Sequence, residues 1–223
     1  MTSLAGVRAP VRAVLFDLDG TLIDSSAVVE RHWRRFASLH DLDVEPILAV
    51  CHGRRSVDTI REVAPHLDAE AAAHQLEDGE ALDVGGLVLV PGAAELLVRL
   101  APDSWAIVTS GHYELASRRL TALGLPVPPV MVCAEDVEQG KPDPEGYALA
   151  AELLGVEPSA CVVVEDAPAG VAAGKALGVP VIALATTHAA SQLAAADAVL
   201  PDLVEFAEAL ATLGLELERS ARA

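Results

Sequence analysis

Two aspartates separated by one residue follow an apolar run near the beginning of the chain. Asp17 and Asp19 belong to the segment FDLDGTLIDS, directly after the run that begins at Val11. Side chains alternate between the two faces of an extended strand, so both carboxylates should lie on one side and Leu18 on the other. Carboxylate oxygens are ligands that suit Mg²⁺, but spaced acids are also common in surface loops. The pair alone therefore does not establish a site.

Three later segments place polar residues where a further apolar run ends, or soon after it. In an open parallel sheet, ligands bind outside the carboxyl ends of the strands, where the loops that leave them converge. Several acids at that edge repel one another unless a cation joins them, which again favours Mg²⁺. Each segment taken singly could be an ordinary loop or helix cap, but their coincidence at one sheet edge favours a function. The residues are Thr109, Ser110 and Gly111 after WAIV, Lys141 in EQGKPDP, and Glu165 and Asp166 in VVVEDAPAG.

Short apolar runs alternate with helical patterns along most of the chain. The segments between the runs carry apolar residues three and four positions apart, which is typical of helices. This alternation predicts an α/β fold with a doubly wound parallel sheet and a Rossmann-like core. The predicted strands are Val11 to Leu18, Trp105 to Ser110, Val130 to Cys133, Cys161 to Val164, and Val179 to Leu184.

The segment from residue 25 to residue 87 interrupts the alternation. It contains three helical patterns, the first with Val29, Trp33 and Phe36 on one stripe, and no convincing strand. We therefore expect residues 1–24 and 88–223 to form the catalytic core and residues 25–87 to form a helical cap inserted after the first strand. Since both junctions lie near the carboxyl end of that strand, we expect the cap to act as a lid.

One loop of the predicted cap carries residues that could touch a substrate. The segment CHGRRSVDTI places His52, Gly53, Arg54 and Arg55 between two helical patterns. Arginines on a lid could bind a substrate hydroxyl or phosphate and help to exclude water. A solvated loop between helices is the alternative interpretation of the same residues.

The composition limits the class of partner. The chain has 223 residues, 52% of them hydrophobic, and a formal net charge of −18 at pH 7. This charge disfavours nucleic acid, because such binding depends on neutralising backbone phosphates. No apolar stretch reaches the roughly 20 residues of a membrane helix, and no signal-peptide pattern is present. We expect a cytoplasmic monomer or weak homo-oligomer without a membrane partner, in which Cys51, Cys133 and Cys161 are core residues.

Together, the motifs resemble those of the haloacid dehalogenase superfamily, and the resemblance extends over essentially the whole chain. DLDGT, Thr109, Lys141 and the pair Glu165 and Asp166 appear in the family's order. The resemblance implies that Asp17 attacks phosphorus to form an aspartyl-phosphate, a known role of carboxylates in covalent catalysis. It further implies that Asp19 acts as general acid and base.

The resemblance also implies how the phosphoryl group and a metal ion are held. Mg²⁺ would bind Asp17, the main-chain carbonyl of Asp19, and Asp166, with Glu165 acting directly or through water. Lys141 would help to neutralise the transferred group, as phosphoryl transfer requires. A phosphate oxygen would be held by the Thr109 hydroxyl and the amides of Ser110 and Gly111.

The implied substrates are small phosphorylated metabolites. HGRRSVDTI, WAIVTSG and GKPDPEGY look most like the small sugar-phosphate and polyol-phosphate phosphatases, which act on glycerol phosphate or on deoxyhexose and hexose 6-phosphates. A phosphomutase of the β-phosphoglucomutase type would use the same acids but return the phosphoryl group to its sugar. A non-catalytic phosphate-binding protein on the same fold is the third possibility, since fold does not fix function.

Overall fold

A parallel β-sheet forms the centre of the molecule, for which the computed structural model describes residues 11–210. Six strands make this sheet, and every pairing between neighbours is parallel. Two further strands form a separate antiparallel ribbon. In chain order the strands are β1 (Ala13–Phe16), β2 (Ile23–Asp24), β3 (Val88–Leu89), β4 (Trp105–Val108), β5 (Met131–Val132), β6 (Cys161–Glu165), β7 (Val181–Leu184) and β8 (Ala198–Leu200).

The order of the strands creates a crevice beside β1. The six strands run β5-β4-β1-β6-β7-β8 across the sheet, so the chain passes from β1 to β4 on one side and later reaches β6 on the other. Where strand order reverses in this way, the loops at the carboxyl ends part and leave room for a ligand. The crevice therefore opens directly after Phe16, the last residue of β1.

Helices cover both faces of this sheet and fill the long insertion. In chain order they are α1 (Ser26–Leu39), α2 (Val44–Leu48), α3 (Ser56–Val63), α4 (Ala69–Leu82), α5 (Ala93–Leu97), α6 (Tyr113–Ala122), α7 (Glu145–Leu154), α8 (Pro168–Leu177) and α9 (Leu203–Leu210). Alternation along β1 sends Val14 and Phe16 to one face and Ala13 and Leu15 to the other. Helices α5, α6 and α9 pack on the Phe16 face, and α7 and α8 pack on the Leu15 face.

The predicted fold class is confirmed, and all five predicted strands are present. Strand β6 is one residue longer than expected, so Glu165 belongs to the strand itself. Strand β8 was not predicted, because its three residues are too few to show a periodic pattern. The three cysteines of the chain are buried and free. Among the described residues, no helix has both the length and the apolar character to span a bilayer.

The insertion contains four helices, α1 to α4, and a hydrophobic cluster of its own. Trp33, Phe36, Ile47 and Ile60 belong to that cluster. The helix α2 was not predicted, since its five residues are too few to show a helical period. The ribbon of β2 and β3 joins the two ends of the insertion, with Ile23 paired to Leu89. That these helices form a cap over the site stays a prediction.

Three aromatic rings stabilise the Phe16 face of the core. Phe206 of α9 and Trp105 of β4 each meet Phe16 edge to face, at ring-centroid distances of 6.1 and 6.3 Å. We expect Phe206→Ala to lower the free energy of unfolding by about 3 to 5 kcal/mol, because it leaves a cavity in a closely packed core. Chemical denaturation would measure the loss. Val204→Ala on the exposed side of α9 is the matched control, and an equal effect of both substitutions would contradict the expectation.

Candidate active site

Three neighbouring strands and one loop bring the predicted residues to the crevice. Strand β1 ends one residue before Asp17, β4 ends one residue before Thr109, and β6 ends at Glu165. Because the three strands are adjacent and parallel, these side chains meet at one edge of the sheet. The loop before α7 adds Lys141, which is buried beside them.

Lys141 links the end of β1 to the ends of β4 and β6. Its Nζ atom donates to Oδ1 of Asp17 at 2.5 Å, to Oε1 of Glu165 at 2.7 Å and to the carbonyl oxygen of Val108 at 2.9 Å. Burial opposes the charged ammonium, but Asp17 and Glu165 outweigh it and raise the pKa of Lys141. The ammonium is therefore charged at neutral pH and holds Asp17 in a fixed orientation.

Glu165 is a fully buried carboxylate whose two oxygens are both engaged. Besides Lys141, Oε1 accepts a hydrogen bond from the Tyr147 hydroxyl at 2.8 Å. The other oxygen, Oε2, accepts from the backbone N–H groups of Asp166 at 3.0 Å and Ala167 at 3.1 Å. In the arrangement seen here, Glu165 fixes Lys141 and the turn that carries Asp166.

Asp166 is held by two hydroxyl groups and a close backbone approach. Thr21 donates to its Oδ1 at 3.3 Å, and Thr187 donates to its Oδ2. Gly20 has a φ of 91°, and a Cβ atom there would lie 2.1 Å from Oδ2 of Asp166. Both the left-handed backbone and the lack of space require glycine at this position of DLDGT.

Burial and nearby negative charge both raise the pKa of carboxyl groups in the crevice. Burial raises the pKa of Asp17 to about 7, although Lys141 opposes the rise, and Glu165 adds to it. Burial, with Asp17 nearby, also holds the pKa of Asp166 well above its usual range. Carboxyl groups shifted in this way ionise together only when a cation joins them.

The same acids fit a divalent metal ion. One carboxylate oxygen from each of Asp17, Glu165 and Asp166 lies within 4.8 Å of the others. Within the described residues, the buried Oδ2 atom of Asp17 has no hydrogen-bond partner. A buried acceptor without a donor is costly, and a cation would satisfy it. This donor set consists of oxygens, as hard cations require.

Asp19 is paired with an arginine that the sequence analysis did not identify. Arg119 of α6 donates from Nη1 to Oδ1 of Asp19 and from Nη2 to Oε2 of Glu80, both at 2.6 Å. Arg119 is only 2% exposed, and Glu80 belongs to α4 of the insertion. Burial raises the pKa of Glu80 to about 7, against the lowering effect of Arg119. A salt bridge therefore connects the insertion to Asp19.

A small cavity of about 60 Å³ lies between the crevice and the insertion. Core residues line one side, and the loop of the insertion that contains His52 lines another. The hydroxyl of Ser110 donates to the carbonyl oxygen of Gly53 at 3.1 Å, so the two sides touch. The predicted residues that line the cavity are Asp17, Asp19, His52, Gly53, Arg54, Thr109, Ser110 and Gly111.

The turn of Thr109, Ser110 and Gly111, which is predicted to bind phosphate, has a geometry that the sequence did not predict in full. The N–H of Gly111 donates to Oγ1 of Thr109 at 3.1 Å. Helix α6 begins two residues later, at Tyr113, with His112 as its cap. The hydroxyl of Thr109 accepts this bond, so its proton remains able to donate to a ligand oxygen.

The two arginines of the loop point in different directions. Arg54 lines the cavity and donates to Glu62 at 2.8 Å. Arg55 does not line it: its guanidinium bonds Asp58 at 2.7 Å and the carbonyl oxygens of Val137 at 3.3 Å and Glu138 at 3.2 Å. Arg55 thus ties α3 to the loop that precedes Lys141.

The residues that sequence analysis missed carry a recognisable signal. Arg119 lies four residues after Leu115, on the buried stripe of α6, and Glu80 lies four residues after Leu76 on α4. A charged residue on an apolar stripe is rarely buried unless it is paired. Such positions therefore indicate a buried ion pair, although the partner cannot be identified from one sequence.

The fold and the crevice agree with a known enzyme family. A model described as haloacid dehalogenase-like hydrolase matches residues 11–178. The chain belongs to this family. A second model of the same kind matches residues 138–219. The resemblance noted from DLDGT and the later motifs is confirmed.

Relatives of known activity refine this result. Hexitol phosphatase A of Escherichia coli is 46% identical over 197 residues, which cover 86% of this chain and 91% of that protein. Glycerol-1-phosphate phosphohydrolase 2 of Saccharomyces cerevisiae is 39% identical, over 79% of this chain and 76% of that protein. A hydrolase structure from Pseudomonas syringae superimposes with a TM-score of 0.80 at 25% identity, covering 88% of this chain and 98% of that one. The predicted enzyme class, a phosphoric monoester hydrolase of the haloacid dehalogenase type, is confirmed.

A substitution at Gly170 tests whether Glu165 holds Lys141 in place. A Cβ atom on Gly170 would lie 1.6 Å from Oε1 of Glu165, the oxygen that holds Lys141. We expect Gly170→Ala to reduce kcat by about 100-fold, the scale of a misplaced catalytic group. Gly85→Ala is the control, since its nearest neighbour would lie 3.4 Å away. Full phosphate release by a folded Gly170→Ala variant would refute this role.

Proposed function

We propose that the chain is a Mg²⁺-dependent phosphatase that hydrolyses small sugar or polyol phosphates through an aspartyl-phosphate. The observation that carries this proposal is the pairing at the crevice. Asp17 is held by Lys141, while Asp19 lines the same cavity two residues further along the chain. The two acids can therefore reach the same phosphoryl group from adjacent positions.

In the first step, a carboxylate oxygen of Asp17 attacks phosphorus. The bond between phosphorus and the alcohol oxygen breaks as the new bond forms, and Asp19 gives a proton to the departing oxygen. Lys141 is placed to offset negative charge beside Asp17. The Thr109 hydroxyl and the backbone amide of Ser110 hold an equatorial oxygen, which positions the phosphoryl group for in-line transfer.

In the second step, water attacks the phosphorus of the aspartyl-phosphate. Asp19, now ionised, accepts a proton from this water, and the bond between phosphorus and the Asp17 oxygen breaks. Phosphate leaves, and both acids return to their starting states. Since Oδ1 of Asp19 accepts from Arg119, Oδ2 is the oxygen left to exchange the proton. Arg119 acts here as a positioning residue.

The metal ion would be held by groups that lie close together in the crevice. Asp17 and Asp166 would each supply an oxygen, and Asp19 would supply its main-chain carbonyl. When bound, Mg²⁺ offsets the negative charge of the phosphoryl oxygens. The two carboxylate oxygens of Glu165 already accept hydrogen bonds from Lys141, Tyr147 and two backbone N–H groups. We therefore propose that Glu165 positions Lys141 and contacts the metal ion through water.

The relatives favour a polyol or sugar phosphate as substrate. They include a hexitol phosphatase at 46% identity and a glycerol-1-phosphate phosphohydrolase at 39% identity. In each of these esters, the alcohol is joined directly to the phosphate. His52, Gly53 and Arg54 line the cavity on the insertion side, and we propose that they contact this alcohol.

We further propose that residues 25–87 form a lid on a core of residues 1–24 and 88–223, of which 1–10 and 211–223 lie outside the described residues. Two contacts support this division. Ser110 bonds Gly53, and Arg55 bonds the carbonyl oxygens of Val137 and Glu138. A lid closed over the cavity would exclude water while the phosphoryl group is transferred.

The proposed chemistry is tested by phosphate release from glycerol phosphates, hexitol 6-phosphates, and hexose and deoxyhexose 6-phosphates. We expect turnover that is abolished by EDTA and restored by Mg²⁺, because the acids of the crevice need a cation. Asp17→Asn should lose turnover with every ester, since it removes the nucleophile but keeps the shape. Asp19→Asn should lower kcat by about 100-fold or more, the usual contribution of general acid catalysis.

Other outcomes would support the alternatives. Isomerisation of a sugar phosphate without phosphate release would favour the mutase. Binding without turnover, by a wild-type protein that is folded and supplied with Mg²⁺, would favour a phosphate-binding protein. Phosphate release by Asp17→Asn at the wild-type rate would refute the aspartyl-phosphate.

Arg55 tests the proposed lid. We expect Arg55→Ala to lower kcat/KM by about tenfold, because it removes charge-assisted hydrogen bonds that hold α3 to the loop before Lys141. Amide hydrogen exchange of α3 should become faster in the same variant. Arg61→Ala is the control, since Arg61 lies on the helix that Arg55 precedes and pairs with Asp58 and Glu70 inside the insertion. Equal effects of the two substitutions would argue against a lid contact.

A further inference from the structure

The cavity has an acidic wall beside the turn formed by Thr109, Ser110 and Gly111. Helix α4 contributes Glu77 and Glu80, which line the cavity and are 7% and 5% exposed. Arg119 of α6 lies between Glu80 and Asp19. We call Glu77, Glu80 and Arg119 the acidic wall. Carboxylates beside a cavity that receives a phosphate are unexpected, because like charges repel.

The one arginine of the acidic wall does not neutralise it. Arg119 is shared between Asp19 and Glu80, so a single positive charge faces two acids. Arg54 also lines the cavity, but its guanidinium is paired with Glu62 at 2.8 Å. Along this wall, the described residues therefore present an excess of negative charge.

Glu77 is the acid of this wall without a cationic partner. Its Oε2 accepts from the backbone N–H of His112 at 3.3 Å and lies 3.7 Å from His112 Nε2. The other ring nitrogen, Nδ1, accepts from the N–H of Leu115 at 3.1 Å and so carries no proton. Among the described residues, no lysine or arginine pairs with Glu77, in contrast to Glu80.

The wall retains unused capacity for hydrogen bonds. Within the described part of the chain, the buried Nε–H of Arg119 has no partner, and Glu77 accepts a hydrogen bond at Oε2 but not at Oε1. An alcohol hydroxyl both donates and accepts, so it can satisfy either group. A carboxylate or second phosphate only accepts, and it would meet Glu77 as a like charge.

We propose that the acidic wall selects phosphomonoesters of uncharged polyhydroxy alcohols and rejects esters whose alcohol carries a second anionic group. Glu77 is the specificity-determining residue, and Glu80 and Arg119 position the wall against Asp19. The inference rests on the proposed phosphatase function and sets a boundary on its substrates. A free hydroxyl at the far end of the substrate can form a hydrogen bond with the acidic wall. An anionic group at the same place cannot donate a hydrogen bond to Glu77 and is repelled by its negative charge.

Two esters that differ in one group test the proposal. Sorbitol 6-phosphate and 6-phosphogluconate differ mainly at carbon 1, which is a hydroxymethyl group in the first and a carboxylate in the second. We expect kcat/KM of the wild type to favour the sorbitol ester by about 100-fold. Glu77→Gln should reduce this preference by about tenfold, the effect of removing one nearby charge in a partly buried site.

A neighbouring acid supplies the control. Asp78 follows Glu77 on α4, has a side chain that is 66% exposed, and does not line the cavity. Asp78→Asn changes the net charge by the same amount, and we expect it to leave the preference unchanged. We expect inhibition by inorganic phosphate to change less than this preference does, because Thr109, Ser110 and Gly111 are kept in all three proteins.

The outcomes distinguish the role of the acidic wall from the proposed phosphatase function. A wild-type ratio near one, or a ratio unchanged in Glu77→Gln, would overturn the role of the acidic wall while leaving the phosphatase intact. Absence of turnover with both esters, and with the other phosphoesters above, would overturn the proposed function itself. Glu77→Met, a second neutral side chain of similar length, serves if circular dichroism shows Glu77→Gln to be unfolded, and it should shift the ratio in the same direction.

Discussion

At one edge of the sheet, buried carboxyl groups outnumber the buried cations that contact them, and the rest of the structure depends on this constraint. Asp17, Glu165 and Asp166 converge there, and Lys141 is the one cation that contacts them among the described residues. Buried charges are tolerated only when hydrogen bonds and counter-charges satisfy them. The surroundings supply these from Tyr147, two threonines and backbone N–H groups, and a metal ion would complete the balance.

This constraint explains features that are remote in sequence. Two of the acids approach a backbone closely, and Gly20 and Gly170 stand where a Cβ atom would collide with Asp166 and Glu165. Burial of Glu165 requires a hydroxyl on α7, which Tyr147 provides from inside the Leu15 face of the core. A helix that packs against the sheet therefore also supports the chemistry, and core stability and site geometry cannot vary independently.

The sequence predicted the parts of the molecule that local patterns determine. Buried strands show as apolar runs, and parallel strands bring their following residues to one edge, so Asp17, Thr109 and Asp166 could be placed together in advance. The direction of Arg55 and the pairing of Arg119 could not. Both depend on which surface of the insertion faces the core, and one sequence does not show how two separate hydrophobic clusters are packed together. Short elements such as α2 and β8 were missed for another reason, since they contain too few residues to show a period.

In the proposed function, the core contacts the phosphate of the substrate and the insertion contacts its alcohol. The insertion begins at α1, seven residues after Asp19, and returns to the core through β3, so its helices stay beside the crevice whatever their own sequence. The core residues proposed to contact the phosphate cannot change without disturbing the buried charges. Residues on α4 are free of that requirement, because Glu77 and Glu80 meet the core at His112 and Arg119 rather than at the buried acids. A chain built in this way can alter its preference for the alcohol by substitutions on the insertion while the charge balance around Asp17 remains fixed.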